Sequence, residues 1–168
     1  ALLLSIHRRL VYFEKCMREG YRPSNTPEVK GMHRLSTQTV GIIGFGRIGQ
    51  AFAQRAKAFG VRILVCDPVV SGNRIKELGC IASDNETLLA ESDYLCLLCP
   101  LTPNTRGMLA MPQFRKMKPS AVLINTGRGE LVKENDLAEA LNTGVIAYAG
   151  VDVYGDFNVF DQAGFPTT

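Results

Sequence analysis

Val40-Gly41-Ile42-Ile43-Gly44-Phe45-Gly46-Arg47-Ile48-Gly49 decides how this chain folds. An apolar run, Val40 to Ile43, reads as a buried strand. A glycine loop of the form GxGxxG follows it, and a helix-like stretch over 48–59 follows the loop, with Gly60 as its stop. The three glycines have separate tasks. Gly44 allows a tight turn, Gly46 lets the backbone approach a pyrophosphate, and Gly49 lets helix and strand pack closely. The helix N-terminus then presents unpaired N–H groups and a positive dipole end to phosphates. Arg47 and Ile48 open that helix.

Asp67 lies eighteen residues past Gly49, after a second apolar run over 61–66. An acid there accepts hydrogen bonds from both ribose hydroxyls and repels a 2′-phosphate, which favours NAD over NADP. Arg62 and Arg74 flank the same region and leave NADP open. Further apolar runs follow at 94–99, 121–124 and 146–151. Helical stretches lie between them, one opened at Ser83-x-x-Glu86 in capping-box form and one over 134–141 stopped near Gly144. Short apolar strands alternating with helices predict an α/β chain with a doubly wound parallel sheet covered on both faces.

Ahead of this region, Leu3, Ile6, Leu10, Phe13 and Met17 recur at spacings of three and four. They predict one helix over 1–20, with His7 on its surface. Residues 21–38, with Pro23, Pro27 and Gly31, read as a connecting loop that carries His33.

The chain has 168 residues, 46% of them hydrophobic, and a net charge of +3. That is enough to bury a core without staples and too apolar for a disordered chain. The positive charge is dispersed, which argues against nucleic-acid binding. No apolar run reaches the roughly 18 residues that span a bilayer. The first residues, Ala1-Leu2-Leu3-Leu4, precede Arg8-Arg9 and lack a cleavage site, so they read as a cut into a longer sequence or a processed terminus. The five cysteines are odd in number and scattered. Cys96-x-x-Cys99 has redox or metal spacing, but it lies in an apolar run with no second such pair, so it reads as buried strand in a reducing compartment, the cytoplasm.

Together these segments resemble the D-isomer-specific 2-hydroxyacid dehydrogenases. Residues 40–50 are similar to that family's cofactor loop, and 56–60 to the end of its first Rossmann helix. Cys99-Pro100-Leu101-Thr102-Pro103-Asn104-Thr105 resembles the loop after its fourth strand. Ile124-Asn125-Thr126-Gly127-Arg128-Gly129 resembles its active-site arginine motif, and Ala149-Gly150-Val151-Asp152-Val153 the strand that follows. The resemblance covers about residues 1–154. It implies a Rossmann NAD-binding domain over 39–154, with the substrate domain largely absent and a divergent tail over 155–168.

By resemblance, Gly44, Gly46, Arg47, Ile48 and Gly49 hold the pyrophosphate, and Asp67 holds the ribose. Cys99, Pro100 and Thr105 line the adenosine and nicotinamide-ribose side. Thr126, Gly127 and Arg128 lie beside the nicotinamide, and Asp152 near its carboxamide. Arg128 is the substrate arginine. Its guanidinium fork suits a 2-keto acid, binding the carboxylate with two directed hydrogen bonds and polarising the carbonyl. Cys99 has no neighbouring base and is not read as a nucleophile.

The implied activity is hydride transfer between NAD and a small 2-hydroxy or 2-keto acid, with hydroxypyruvate or glycerate fitting slightly best. Phosphonate or formate chemistry on the same scaffold stays open. The family's acid–base histidine follows the Asp152 strand, and this chain has only His7 and His33. Its glutamate position falls on Phe157, beside Asp156 and near Asp161. A non-catalytic NAD(H)-sensing or corepressor-like protein is therefore the competing expectation. The resemblance also implies a homodimer through the first helix and residues 106–118.

Overall fold

The computed structural model describes residues 1–155, the side chain of Glu28 excepted. Six strands form one sheet: β1 (Thr39–Ile43), β2 (Arg62–Cys66), β3 (Ile81–Ala82), β4 (Tyr94–Leu97), β5 (Val122–Asn125) and β6 (Tyr148–Val151). Their order is β3-β2-β1-β4-β5-β6 and every pairing is parallel. The order reverses beside β1, where the chain crosses from one half of the sheet to the other. In open α/β sheets, ligands bind at that switch point, outside the carboxyl ends of the strands. The expected doubly wound sheet is present.

The strand pleat sorts side chains onto two faces. Val40 and Ile42 of β1, Tyr94 and Cys96 of β4, and Val122 and Ile124 of β5 enter one core. There they meet Leu3 of helix α1 (Leu2–His7), Ala53 and Ala56 of α4 (Arg47–Lys57), and Ile75 of α5 (Gly72–Glu77). Leu95, Leu97 and Leu123 enter the other core. They meet Leu88 and Leu89 of α6 (Asn85–Glu91), Phe114 of α7 (Met111–Phe114), and Leu137 and Ala140 of α8 (Glu134–Asn142). A strand buried on both faces has no polar position to spare, which is why these runs lack alternation.

The N-terminal region departs from the single expected helix. It is α1 followed by α2 (Leu10–Arg18), broken at Arg9, whose φ of 52° and ψ of 36° are left-handed. His7 is not on the surface. It lies one turn below Leu3 on the same face, so both side chains turn inward, and His7 Nδ1 meets the Tyr94 hydroxyl at 2.8 Å. Residues 21–38 are not all loop, because they hold α3 (Pro27–Lys30) and a 3₁₀ turn, Leu35–Thr37. The cap of α6 is Asp84, one residue later than expected. Its carboxylate accepts from the Thr87 N–H, while the Ser83 hydroxyl donates to the Asp84 carbonyl. The candidate acids Asp156 and Asp161, Phe157 and the rest of the tail lie outside the described residues. Among the described residues, no helix is long and apolar enough to cross a membrane.

Candidate functional site

The glycine loop leaves the carboxyl end of β1 and enters α4 at once. Gly44 has φ +93°, and a Cβ on it would lie 2.5 Å from the backbone N and Cα of Cys99. The loop is therefore pressed against the segment after β4. Gly49 faces inward, where an added Cβ would lie within van der Waals overlap of the Gly44 carbonyl, so helix and turn pack directly together. Gly46, the N-cap of α4, is different. A Cβ there meets no atom within 4 Å, and no side chain caps the helix. The turn is closed on two sides and open on the third, at the helix N-terminus. A diphosphate approaching the backbone needs that arrangement, so the residues fit a dinucleotide.

Asp67 follows β2 directly and is tied to the same loop. Its Oδ2 accepts from the Phe45 N–H at 2.5 Å, and its Oδ1 accepts from the N–H groups of Val69 and Val70 at 2.8 and 2.9 Å. Burial raises the Asp67 pKa, but these three backbone donors together outweigh it and hold the carboxyl below its ordinary 3.8. A carboxylate offers about four acceptor sites, so Oδ2 keeps capacity for a ribose hydroxyl. This contribution to stability is present above about pH 3.8 and is lost as pH falls through the depressed value. Urea unfolding of Asp67→Asn followed from neutral to acid pH should lose less stability below pH 3.8 than wild type.

Beside the loop opens a cleft of about 470 Å³. Its walls include Gly46, Arg47, Ile48, Cys99, Pro100, Thr126, Gly127 and Arg128. Arg47 and Ile48 come from the first turn of α4, Cys99 and Pro100 from the segment after β4, and the last three from the segment after β5. Arg128 is exposed, and its Nη1 donates to the Gly127 carbonyl at 2.8 Å. Gly129, next in sequence, is wedged against the backbone of Tyr154 and Gly155. Burial, the leading influence, keeps the Cys99 thiol above its ordinary pKa of 9.0, and Cys96 is pushed up to about 12. Both stay protonated at neutral pH, which removes them as nucleophiles. Among the described residues no group of His, Cys, Asp and Glu could hold a metal.

Gly44, Gly49 and Asp67 lie behind the cleft wall in the loop and its anchor, and Thr105 and Asp152 also stand off it. The Thr105 hydroxyl accepts from the Thr102 N–H at 2.7 Å and donates to the Pro100 carbonyl at 2.8 Å. It shapes the loop that carries Cys99 and Pro100. Asp152 is exposed just past β6, with its N–H donated to the Asn125 carbonyl at 3.0 Å.

Asn125 is the member that its sequence position understated. It is 1% exposed at the end of β5. Its Oδ1 accepts from the Gly127 N–H at 3.1 Å, and its Nδ2 donates to the Arg128 carbonyl at 2.9 Å. One buried amide thus fixes the backbone on both sides of the Arg128 Cα. A polar residue closing an otherwise apolar strand was the available signal. Replacing Asn125 by Ala leaves the Gly127 N–H without a partner and the Arg128 carbonyl with only the longer bond from the Leu131 N–H at 3.3 Å, and should cost about 2 kcal/mol. Thermal unfolding checks this, and a change of under about 0.5 kcal/mol would show that the loop holds itself.

Comparison with known proteins agrees with this geometry. Residues 1–159 match the family described as D-isomer specific 2-hydroxyacid dehydrogenase, NAD binding domain. A glyoxylate reductase of Thermococcus litoralis is 41% identical over 166 residues, covering 96% of this chain and 50% of the relative. A glyoxylate/hydroxypyruvate reductase B of Shigella boydii is 42% identical over 156 residues, covering 92% of this chain and 48% of the relative. The crystal structure of a D-lactate dehydrogenase from Aquifex aeolicus, complexed with NAD and lactic acid, superposes with a TM-score of 0.87 at 31% identity. That match covers 98% of this chain and 48% of the other. The chain spans about half the length of the curated relatives it matches. Its glycine loop, parallel sheet and NAD-binding fold place it in the D-isomer-specific 2-hydroxyacid dehydrogenase family, as the NAD-binding domain.

Proposed function

We propose that this chain provides the cofactor site and the substrate arginine for NAD-dependent interconversion of a small 2-hydroxy acid and its 2-keto acid. One observation carries the reading: Arg128 lines the same cleft as the open N-terminus of α4. Gly44, Gly46, Arg47, Ile48 and Gly49 form the pyrophosphate cradle, and Asp67 takes the adenosine ribose. Cys99, Pro100, Thr126 and Gly127 line the nicotinamide side, with Thr105 bracing the loop and Asp152, just past β6, assigned to the nicotinamide carboxamide. Bound NAD(H) supplies or accepts the hydride. Arg128 grips the substrate carboxylate with its guanidinium fork and draws charge onto the keto oxygen, an interaction that strengthens as the oxygen becomes alkoxide. Asn125 keeps the Arg128 backbone fixed while it does so.

Glyoxylate and hydroxypyruvate are the substrates favoured by the names of the relatives. Among the described residues no histidine lines this cleft, and His7 and His33 both line a cavity at the opposite edge of the sheet. That placement keeps the second reading in view, an NAD(H)-binding protein without turnover. Two finer assignments accompany the proposal. The exposed Leu10, Val11 and Met17 of α2 suit a homodimer contact, and five free cysteines suit the cytoplasm.

Oxidation of NADH followed by absorbance with glyoxylate or hydroxypyruvate tests the activity. Arg128→Ala should lower kcat/KM by about 10²–10³-fold while NADH affinity holds. Saturable NADH binding with no turnover of either keto acid would favour the sensing reading.

A further inference from the structure

A second cavity, of about 370 Å³, lies at the amino-terminal edge of the sheet, away from the glycine loop. Its polar wall is formed by Arg9, His33, Gln38, Asp93, Ser120 and Tyr148. Arg9 stands out in two ways. It is the one described non-glycine residue with positive φ, a conformation costing roughly 1–2 kcal/mol for an L-residue. Its guanidinium carbon also lies 4.0 Å above the Tyr148 ring. A guanidinium has five donors and no acceptor, and that of Arg9 makes no hydrogen bond or ion pair among the described residues.

The other charges around the cavity are settled. Asp93 Oδ2 accepts from the Thr39 N–H at 2.7 Å, and its Oδ1 is paired with Lys118 Nζ at 2.8 Å. His7 Nδ1 is engaged with the Tyr94 hydroxyl. Arg9 is thus an uncompensated cation, held in a strained backbone and backed by an aromatic ring at the wall of a polar cavity. A fork stacked on a ring and left with free donors is the geometry with which arginine receives planar anions. The Asp93 carboxylate on the same wall works against a doubly charged guest.

We propose that this cavity is a second small-molecule site, one that takes a small organic monocarboxylate. The Arg9 fork binds the carboxylate while Tyr148 backs it. Gln38, Ser120 and His33 offer further polar contacts, and Ile6 and Val122 receive the apolar end. The volume is at the lower end of the range for ligand pockets, about 300–1,000 Å³. The guest would also tie the α1–α2 junction to the edge formed by β4, β5 and β6.

The test is a ¹H–¹⁵N NMR titration of the whole chain with propionate. It is run in an Arg128→Ala background so that the cofactor cleft cannot account for binding. Saturable shifts around Ile6–Arg9, Gln38 and Tyr148 are expected, with Kd of about millimolar for so few heavy atoms and weaker binding of inorganic phosphate. Arg9→Gly removes the fork and relieves the left-handed strain, so the fold should be kept and propionate affinity should fall by about tenfold or more. Shifts that do not saturate, unchanged binding in Arg9→Gly, or tighter binding of phosphate would each overturn the proposal.

Discussion

Gly44→Ala should unfold far more easily than wild type, by about 3–5 kcal/mol. Two independent costs add at this position. The φ of +93° is strained for any residue with a Cβ. The new Cβ would also lie 2.5 Å from the backbone of Cys99, where no side-chain rotation can relieve the contact. The segment after β4 would have to retreat from the loop, and it carries Cys99 and Pro100 of the cleft wall. Thermal unfolding should show a drop of about 10 °C or more for a chain of this size. A drop under about 2 °C would mean that the loop is not held between β1 and the segment after β4.

Gly46→Val, two residues later, should behave in the opposite way. The backbone at Gly46 is extended, with φ −68° and ψ −161°, and a Cβ would meet nothing within 4 Å. Stability should therefore change by less than about 1 kcal/mol. The added isopropyl group would stand in the cleft at the N-terminus of α4, where the pyrophosphate of NAD has to touch backbone N–H groups. NADH affinity should fall by about a hundredfold, corresponding to the loss of two charge-assisted hydrogen bonds. On the proposed function the pair separates two roles that one motif hides, with Gly44 serving the fold and Gly46 the ligand. Unfolding curves and NADH fluorescence on the two variants read this contrast directly.

The sheet was legible in sequence because its central strands β1, β4 and β5 are buried on both faces and so read as apolar runs. Asp67 was legible because the acid must follow the second strand. The elements that were not expected are marginal ones. β3 has two exposed residues, Ile81 and Ala82, and α7 has four residues; neither is long enough to show a period. The break at Arg9 had no local signal, because neither glycine nor proline marks it and the apolar spacing continues past it. Only the packing of α1 against β6 and the Arg9–Tyr148 stack show where the helix must turn. His7 was misplaced for the same reason, since its burial depends on Tyr94, 87 residues away. The site followed a similar pattern. Cys99, Pro100, Thr126, Gly127 and Arg128 meet on one cleft, whereas Thr105 and Asn125 act on the backbone beneath it, a role that appears only in the hydrogen bonds.

Isothermal titration of the folded chain with NADH and NADPH tests the central claim most directly. One-to-one binding of NADH is predicted, with NADPH weaker by about tenfold or more because its 2′-phosphate meets the Asp67 carboxylate. Asp67→Ala should weaken NADH by about tenfold or more and narrow the gap between the two cofactors. Folded protein that takes up no NADH at about millimolar concentration, or that binds both cofactors equally with and without Asp67, would contradict the account.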